Sequence, residues 1–384
     1  MIPYGRQDID EADIDAVVKV LRSDWLTQGP SIQEFETTFA VYCGAAHAVA
    51  VSSATAGLHL AVKALGLKSG GLLWTVPNTF VATANVALYC GADVDFVDID
   101  PNTYCISVQR LRERLAAVRA SGGRLPDIVT VVHFAGQPCE MQEIRRLAKE
   151  FGFRVIEDAS HAVGAEYMSR KVGSCDHSDL CVFSFHPVKI VTTGEGGMVT
   201  TSDPFLATAL AELRTHGITR DPQRMESASQ GAWYYEMLEL GFNYRITDMQ
   251  AALGCSQMRR LDDFVARRRK LAATYNRELA DLPIRLPYQH PDGNSSFHLY
   301  PIVVEAEQRA RIFAELRSRG IGVNVHYIPV YTQPVYRRLG FEIGYCPSAE
   351  AYYAGAISLP LFSRMSDDEQ NVVMAAVRDV VLHS

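Results

Sequence analysis

The stretch Ser184-Phe185-His186-Pro187-Val188-Lys189 places a single lysine just before a glycine-rich turn, Thr192-Thr193-Gly194-Glu195-Gly196-Gly197. A second polar cluster, Glu157-Asp158-Ala159-Ser160-His161, follows another short apolar segment earlier in the chain. Ligands of open α/β sheets bind at the carboxyl ends of the strands. If the chain forms such a sheet, the two clusters lie at that edge and predict a binding site there.

Lys189 and Asp158 are the two candidate catalytic residues. A lysine amine can form a Schiff base with an aldehyde, and a carboxylate can keep a pyridine nitrogen protonated. Pyridoxal phosphate (PLP) chemistry requires both groups. Each residue also has a simpler explanation, because most lysines near turns are solvated and an aspartate after a strand commonly caps the next turn.

Strand-like and helical patterns alternate through the first two-thirds of the chain. The predicted strands are Ala46–Val51, Leu72–Val76, Val94–Ile99, Ile128–Val132, Arg154–Ile156, Leu180–Phe183 and Met198–Thr200. The predicted helical segments include Asp10–Leu21, Leu58–Leu65, Leu111–Val118 and Ile144–Phe151. This order is typical of an α/β domain with a mostly parallel sheet, here of seven strands.

The pattern changes after Thr247. Thr247-x-x-Gln250 is a capping box, and it predicts a helix that continues without interruption to about Leu282. The segments beyond it mix strands and helices as a smaller α+β domain would: Phe297–Val304, Ala310–Arg319, Gly322–His326 and Glu369–Leu382. We therefore predict a large domain over residues 1–255 and a small C-terminal domain over residues 256–384.

Composition narrows the class of protein. Among 384 residues, 37 are basic and 44 acidic, and the net charge of −7 argues against a nucleic-acid partner. The N-terminus lacks a signal-peptide pattern, and no apolar run approaches the ~18 residues of a spanning helix. Eight cysteines without a Cys-x-x-Cys pair predict free thiols and no zinc site. We expect a cytoplasmic protein with no metal and no membrane partner.

A phosphate site is predicted after the first strand. Ser52-Ser53-Ala54-Thr55-Ala56-Gly57 opens a helix, and its small residues let backbone N–H groups approach an anion. A plain Ser/Thr helix cap is the alternative. Ser184 could add a hydroxyl, whereas Phe80 could stack on a planar ring or belong to the core. The chain has no Gly-Lys dipeptide and no Gly-x-Gly-x-x-Gly, which excludes a P-loop and weakens a dinucleotide site.

Taken together, these motifs resemble the DegT/DnrJ/EryC1/StrS family of PLP-dependent aminotransferases, which act on nucleotide-linked keto-sugars. The resemblance extends from Tyr4 to the last predicted helix. It rests on Leu26-Thr27-Gln28-Gly29, Ser53-Ala54-Thr55, Pro77–Thr83, Glu157-Asp158-x-x-His161, Ser184-Phe185-His186-x-x-Lys189, Gly194-Glu195-Gly196-Gly197 and Asn243-x-Arg245. It implies a fold type I aminotransferase, a homodimer with shared active sites, PLP as cofactor and L-glutamate as amino donor.

The resemblance also implies roles for individual residues. Lys189 would bind the cofactor covalently and later move a proton, Asp158 would pair with the pyridine nitrogen, and Phe80 would stack on the ring. The other expected cofactor contacts are Ala54, Thr55, His161, Ser184 and, from the second subunit, Asn243. The expected sugar-nucleotide contacts are Tyr4, Asp24, Trp25, Leu26, Thr27, His186, Val325, His326, Tyr327 and Ile328.

Within the family, the chain is most similar to members of pseudaminic acid biosynthesis. Those members aminate C4 of a UDP-linked 2-acetamido-2,6-dideoxy-4-ketohexose in its β-L-arabino form, giving UDP-4-amino-4,6-dideoxy-N-acetyl-β-L-altrosamine. The shared details are Tyr4, Leu26-Thr27-Gln28-Gly29, Ser160-His161-Ala162, Lys171-Val172-Gly173 and Val325-His326-Tyr327. C4 amination of another UDP- or dTDP-linked 4-keto-6-deoxy sugar is one alternative, and a non-enzymatic PLP-binding regulator is another. Dehydratase relatives carry histidine at the position of Lys189.

Overall fold

A computed structural model describes residues 1–382 of the protein. Its strands are β1 (His47–Val51), β2 (Leu72–Thr75), β3 (Asp93–Phe96), β4 (Ile128–Val132), β5 (Arg154–Asp158), β6 (Glu166–Tyr167), β7 (Arg170–Lys171), β8 (Leu180–Ser184), β9 (Gly197–Thr201), β10 (Ile218–Thr219), β11 (Glu236–Met237), β12 (Gly293–Asn294), β13 (Tyr300–Val303) and β14 (Ala356–Leu359). Its α-helices are α1 (Glu11–Leu21), α2 (Pro30–Cys43), α3 (Ala54–Ala64), α4 (Ala82–Tyr89), α5 (Val108–Ala120), α6 (Met141–Phe151), α7 (Pro204–Leu213), α8 (Asp248–Met258), α9 (Leu261–Glu278), α10 (Ala306–Ser318), α11 (Pro334–Arg337), α12 (Pro347–Gly355) and α13 (Asp367–Leu382).

Seven strands form the central sheet, in the order β1-β9-β8-β5-β4-β2-β3. Strand β9 runs antiparallel to both of its neighbours, and every other pair in this sheet is parallel. The mostly parallel, seven-stranded sheet expected from the sequence is confirmed. The parallel strands β2, β4, β5 and β8, together with β1, therefore end at one edge, and the residues that follow them meet there.

Both faces of the sheet are buried against helices. On β1, Val49 and Val51 join one apolar cluster, whereas Ala50 between them joins the other. Successive side chains of a strand point to opposite faces, so this alternation shows a sheet covered on both sides. Helices α3 to α6 supply residues to the first cluster, and α2, α8 and α9 supply the second.

Helix α2 was not predicted from the sequence. It begins at Pro30, directly after Gly29, and no side chain caps it. Proline suits the first helical position because its missing N–H would have no partner there. Phe35 and Phe39 of α2 are fully buried and lie 4.9 to 5.5 Å, ring centre to ring centre, from Phe183 and Phe185. The helix is therefore an integral part of the second core.

The predicted uninterrupted helix after Thr247 is wrong. The capping box is present, with Thr247 and Gln250 bonding reciprocally, but α8 ends at Met258 and α9 begins at Leu261. Between them, backbone N–H groups donate to carbonyls three residues back instead of four. Arg260 at this turn makes ion pairs with Asp8 and Asp13 in the N-terminal segment. Tertiary contacts therefore stabilise the break between α8 and α9, and no glycine or proline marks it in the sequence.

A third apolar cluster lies in the C-terminal part of the chain. It draws on α9, α10, α13 and the antiparallel pair β13 and β14. Segment Gly322–His326, expected to contribute to this part, forms no strand and makes a single bridge from Asn324 to Ser358. The smaller α+β unit is thus present, while its boundary near residue 255 remains a proposal. No helix within residues 1–382 has the length and apolarity to cross a bilayer.

Candidate active site

A cavity of about 790 Å³ opens at the carboxyl edge of the sheet. Most of the residues expected to bind cofactor or substrate line it. They are Tyr4, Ala54, Thr55, Phe80, Asp158, His161, Ser184, His186, Lys189, Val325, His326 and Tyr327. The ends of β1, β5 and β8 supply three of these groups because parallel strands end at one edge. The C-terminal unit closes the opposite wall with residues 324–327.

Lys189 follows β8 and lies in this cavity with its amine unpaired. Within residues 1–382 its Nζ makes no ion pair, and burial lowers the pKa of Lys189 to about 8. The Asp158 carboxylate acts in the opposite direction and limits this fall in pKa. A lysine needs its neutral form to attack an aldehyde. The site therefore provides a reactive amine near neutral pH.

Asp158 ends β5 and is 4% exposed. Its Oδ2 accepts a hydrogen bond from the Thr83 hydroxyl at 2.7 Å, and its Oδ1 accepts one from the Ser160 N–H at 3.1 Å. The Thr83 hydroxyl also lies 2.8 Å from that of Thr79. Neither partner of the carboxylate carries a charge, so this buried carboxylate can take a positively charged ligand such as a protonated pyridine nitrogen.

The N-terminus of α3 faces the cavity. Ser53 is the N-cap residue, and its hydroxyl accepts the Ala56 N–H at 3.1 Å. The N–H groups of Ala54 and Thr55 belong to the first turn, where a helix offers them no internal acceptor. Glycine at position 197 allows close approach of β9, since a Cβ there would lie 2.8 Å from the Ala54 nitrogen. Free N–H groups and the helix dipole suit a phosphate.

His161 and Tyr327 form a hydrogen-bonded pair on the cavity wall. The Ala135 N–H donates to His161 Nδ1 at 3.3 Å, and His161 Nε2 lies 3.0 Å from the Tyr327 hydroxyl. Burial and nearby Lys189 lower the pKa of His161 well below its usual range, so the ring is neutral. Its proton must then reside on Nε2, which donates to Tyr327. The proton of the Tyr327 hydroxyl is left free for a ligand.

The remaining wall is also neutral. Burial, and then Lys189, lower the pKa of His326 to about 3. His326 Nδ1 lies 2.8 Å from the Ser358 hydroxyl, and the ring centre is 5.5 Å from that of Tyr4. Among the described residues that line the cavity, Lys189 is the one lysine, and there is no arginine. This wall suits ligands that are recognised by hydrogen bonding and stacking.

Phe80 is 60% exposed and lines the cavity, so it is not a core residue. Its ring centre lies 6.5 Å from that of Tyr327. An exposed ring in the cavity wall is available to a planar ligand.

Several residues that line the cavity were not singled out as site residues in the sequence analysis. Thr79, Thr83 and His298 are buried polar residues of the cavity lining that sequence patterns did not single out. His298 lies 4.5 Å from His161, ring centre to ring centre, and its Nδ1 has no hydrogen-bond partner in residues 1–382. Thr83 could have been suspected only from the Pro77–Thr83 motif, since its partner lies on a distant strand.

Six predicted contacts lie outside this cavity. They are Asp24, Trp25, Leu26, Thr27, Asn243 and Ile328, all of them exposed. The segment Asp24–Thr27 is held at the start of α8, where the Asp248 N–H donates to the Leu26 carbonyl. Asn243 bridges to Thr215 instead. Within one chain, the structure therefore does not bring these residues to Lys189.

Comparison with known proteins assigns the family. The model of the DegT/DnrJ/EryC1/StrS aminotransferase family matches residues 7–378. The chain belongs to this family. It is therefore a PLP-dependent sugar aminotransferase, and the sequence-based assignment of family, fold and cofactor is confirmed.

Individual family members are similar over nearly the whole chain. The UDP-4-amino-4,6-dideoxy-N-acetyl-beta-L-altrosamine transaminase of Campylobacter jejuni is 40% identical, over 95% of this chain and 94% of that protein. The spore coat polysaccharide biosynthesis protein SpsC of Bacillus subtilis is also 40% identical, over 99% and 97%. The PMP form of Spr1654 from Streptococcus pneumoniae is 29% identical over the full length of both chains, with a TM-score of 0.91, and its PLP form has also been solved.

The cavity fits PLP. Within residues 1–382 the buried carboxylate of Asp158 has no charged hydrogen-bond partner, the Lys189 amine makes no ion pair, and the first N–H groups of α3 have no internal acceptor. These three features correspond to the ring nitrogen, the aldehyde and the phosphate of this cofactor. Asp158, Lys189 and the Ser53–Thr55 segment would hold those groups. No cluster of metal-binding side chains is found in the described part of the chain.

Proposed function

We propose that this aminotransferase moves the amino group of L-glutamate to C4 of a UDP-linked 2-acetamido-2,6-dideoxy-4-ketohexose in its β-L-arabino form. The product is UDP-4-amino-4,6-dideoxy-N-acetyl-β-L-altrosamine, an intermediate of pseudaminic acid biosynthesis. The similarity to the Campylobacter jejuni transaminase over 95% of the chain carries this proposal. Tyr4, His326 and Tyr327, expected from the sequence to contact the sugar nucleotide, all line the cavity.

The neutral cavity wall supports such a substrate. An acetamido group, a ketone and ring hydroxyls are uncharged and are recognised by hydrogen bonds in fixed directions. The Tyr327 hydroxyl offers one donor, because His161 already donates to its oxygen. Leaving such a buried donor unpaired costs binding energy, so sugars that cannot accept this hydrogen bond are disfavoured.

Lys189 performs the proton transfers in this proposal. PLP, when bound, supplies the aldehyde that takes up the amino group and the ring that withdraws electrons during the transfer. Lys189 would hold PLP covalently at rest. Its Nζ would take the proton from Cα of glutamate in the first half-reaction and would deliver a proton to C4 of the sugar in the second. A pKa of about 8 allows this amine to act as both base and acid near neutral pH.

We further propose that the enzyme is a cytoplasmic homodimer with shared active sites. Asn243 and the segment Asp24–Thr27 are exposed and lie outside the cavity of their own chain. The same parts of the chain expose large apolar side chains: Trp25 lies within this segment, and Leu240 lies three residues before Asn243. A two-fold dimer would cover this surface and could bring the predicted contacts to the partner's cavity.

A second candidate is C4 amination of another nucleotide-linked 4-keto-6-deoxy sugar. The spore coat polysaccharide protein SpsC is as similar to this chain as the altrosamine transaminase is, at 40% identity. The substrate panel therefore has to include such sugars beside the β-L-arabino 4-ketose.

A substrate panel tests both candidates. The protein is incubated with L-glutamate and, separately, with the β-L-arabino 4-ketose, its D-xylo C4 ketose counterpart, a dTDP-linked 4-keto-6-deoxy sugar and a 3-keto sugar. Products are identified by mass spectrometry and NMR, with Lys189→Ala as the inactive control. We expect amination of the β-L-arabino 4-ketose at the highest kcat/KM. A higher kcat/KM with any other member of the panel would reject the proposed sugar, and no turnover with any of them would favour the regulator.

A further inference from the structure

We propose that Thr83 is a positioning residue for the cofactor: its hydroxyl, supported by that of Thr79, fixes the Asp158 carboxylate in the orientation that receives the cofactor's ring nitrogen. This inference rests on PLP as cofactor and not on the identity of the sugar. The sequence motif Pro77–Thr83 contributed to the family resemblance without any role for Thr83.

The hydrogen bonds of Asp158 are the first observation. Within residues 1–382 its carboxylate accepts only two, from Thr83 on Oδ2 at 2.7 Å and from the Ser160 N–H on Oδ1 at 3.1 Å. The Ser160 bond is local, two residues along the chain, and it moves with the strand end. Thr83 is the one side chain that restrains the carboxylate from another element of the fold, so it determines rotation of that group.

The donor and acceptor of each hydrogen bond between Thr79, Thr83 and Asp158 follow from the number of protons available. An ionised carboxylate can only accept, and a hydroxyl has a single proton. Thr83 must therefore donate to Asp158, which leaves its oxygen to accept the proton of Thr79 at 2.8 Å. Both threonines are almost fully buried, at 1% and 3% exposure, so water does not compete for these bonds. Hydrogen bonds in such a chain polarise and strengthen one another.

The backbone makes this arrangement rigid. Thr83 lies in the first turn of α4, and its N–H donates to the Phe80 carbonyl at 3.3 Å. A threonine in a helix has two main rotamers, so the helix restricts the direction of the Thr83 hydroxyl, and the hydrogen bond to Asp158 selects one of them. Phe80, the exposed ring of the cavity, lies between the two threonines in the same segment. Residues 79–83 therefore set both the expected ring contact and the carboxylate orientation.

Removal of the Thr83 hydroxyl has a specific consequence. A hydrogen bond to a charged group is more stabilising than one between neutral groups. Its loss leaves the buried Oδ2 of Asp158 without its donor. The carboxylate is then free to turn toward the nearby amine of Lys189, away from the ring nitrogen. We expect Thr83→Val to weaken PLP binding by about 10- to 100-fold, and to slow the glutamate half-reaction at saturating cofactor.

The experiment compares four variants with the wild-type protein. Thr83→Val removes the hydroxyl, Thr83→Ser retains it, and Thr79→Val removes only the supporting bond. Thr75→Val is the matched control, because the Thr75 hydroxyl is equally buried but donates to the Thr130 carbonyl within the sheet. The dissociation constant of PLP is measured by absorbance titration of the apoenzyme. The visible spectrum and the single-turnover rate with L-glutamate are recorded on the loaded enzyme, and thermal melting of each apoenzyme checks folding.

We expect Thr83→Val to bind PLP more weakly and to change the cofactor spectrum. Thr79→Val should bind PLP a few-fold more weakly than the wild type. Thr83→Ser and Thr75→Val should bind PLP like the wild type. If Thr83→Val binds PLP as tightly as Thr75→Val, or if Thr83→Ser is as weak as Thr83→Val, the positioning role is wrong. If Thr83→Val fails to fold, the comparison of Thr83→Ser with Thr79→Val still tests the proposal. Equal PLP affinity of these two variants would reject the role of the Thr79–Thr83 hydrogen bonds. None of these measurements uses a sugar, so their outcome is independent of the substrate panel.

Discussion

The lowered pKa of Lys189 makes a quantitative prediction about how the apoenzyme captures PLP. With a pKa of about 8, about a quarter of the amines are neutral at about pH 7.5, against about one in a thousand for the ordinary value of 10.5. Only the neutral amine attacks an aldehyde. At that pH Lys189 should therefore react on the order of a hundred times faster than a solvated lysine of equal intrinsic reactivity.

The pH dependence has a definite sign. Below the pKa of Lys189 the neutral fraction rises about tenfold per pH unit, and above it the fraction saturates. The rate of covalent capture should therefore rise with pH and level off above about pH 9. Stopped-flow absorbance of the apoenzyme mixed with PLP gives this rate. Borohydride reduction and peptide mass spectrometry confirm the site, and Nα-acetyllysine treated in parallel corrects for the titration of PLP itself.

Asp158 provides the diagnostic variant. Its carboxylate holds the pKa of Lys189 up against the effect of burial. Asp158→Asn should therefore move the midpoint of the capture profile to lower pH. Glu195→Gln is the control, because Glu195 also lines the cavity as an exposed carboxylate and is not among the groups that shift Lys189. A wild-type midpoint near 10.5, or an upward shift in Asp158→Asn, would refute the electrostatic account.

Two further predictions concern assembly and the core. A one-to-one mixture of the Lys189→Ala and Asn243→Asp variants should recover about a quarter of the wild-type activity. Half of randomly formed dimers are hybrids, and each hybrid has one intact site of two. If the mixture is no more active than the sum of the separate variants, the site is not shared. Phe35→Ala should lower the free energy of unfolding by about 3–5 kcal/mol, since Phe35 is fully buried against Phe39 and Phe185. Phe205→Ala, at an exposed ring on α7, is its control and should change denaturant unfolding by less than about 0.5 kcal/mol; equal losses would contradict the place of α2 in the core.

The sequence predicted the features that depend on local pattern. Apolar runs bounded by turns located all seven strands of the sheet, with Ile128–Val132 correct at both ends. Asp158 at the end of β5 and Lys189 after β8 were predicted because strand ends and residue types are visible in the sequence. Helix α2 was missed because it has no side-chain cap, although Pro30 at its first position is compatible with a helix start. The break at residues 259–260 was missed because ion pairs with a distant segment hold it.

Hydrogen bonds of the site between residues far apart in the sequence produce no local sequence pattern. Thr83 and Asp158 are 75 residues apart in the chain, and their hydrogen bond requires α4 and β5 to be placed first. The His161–Tyr327 pair spans 166 residues in the same way. A periodicity reports which face of an element is buried. It does not report which polar group meets another across the cavity, so these contacts needed the folded structure.

The charges of the cavity bear on how the substrates are held. Among its described lining residues Lys189 is the one lysine and there is no arginine, and burial lowers the pKa of His161, His298 and His326 so that these three rings are neutral. The helix N-terminus at Ala54 can hold the cofactor phosphate without a cation. Because Lys189 is committed to the cofactor, no other lysine and no arginine of this described lining is available to a sugar-nucleotide diphosphate or to the two carboxylates of glutamate. We expect a group outside this cavity to supply part of that charge. In the proposed homodimer, the exposed segments around Thr27 and Asn243 are the ones expected to complete the site.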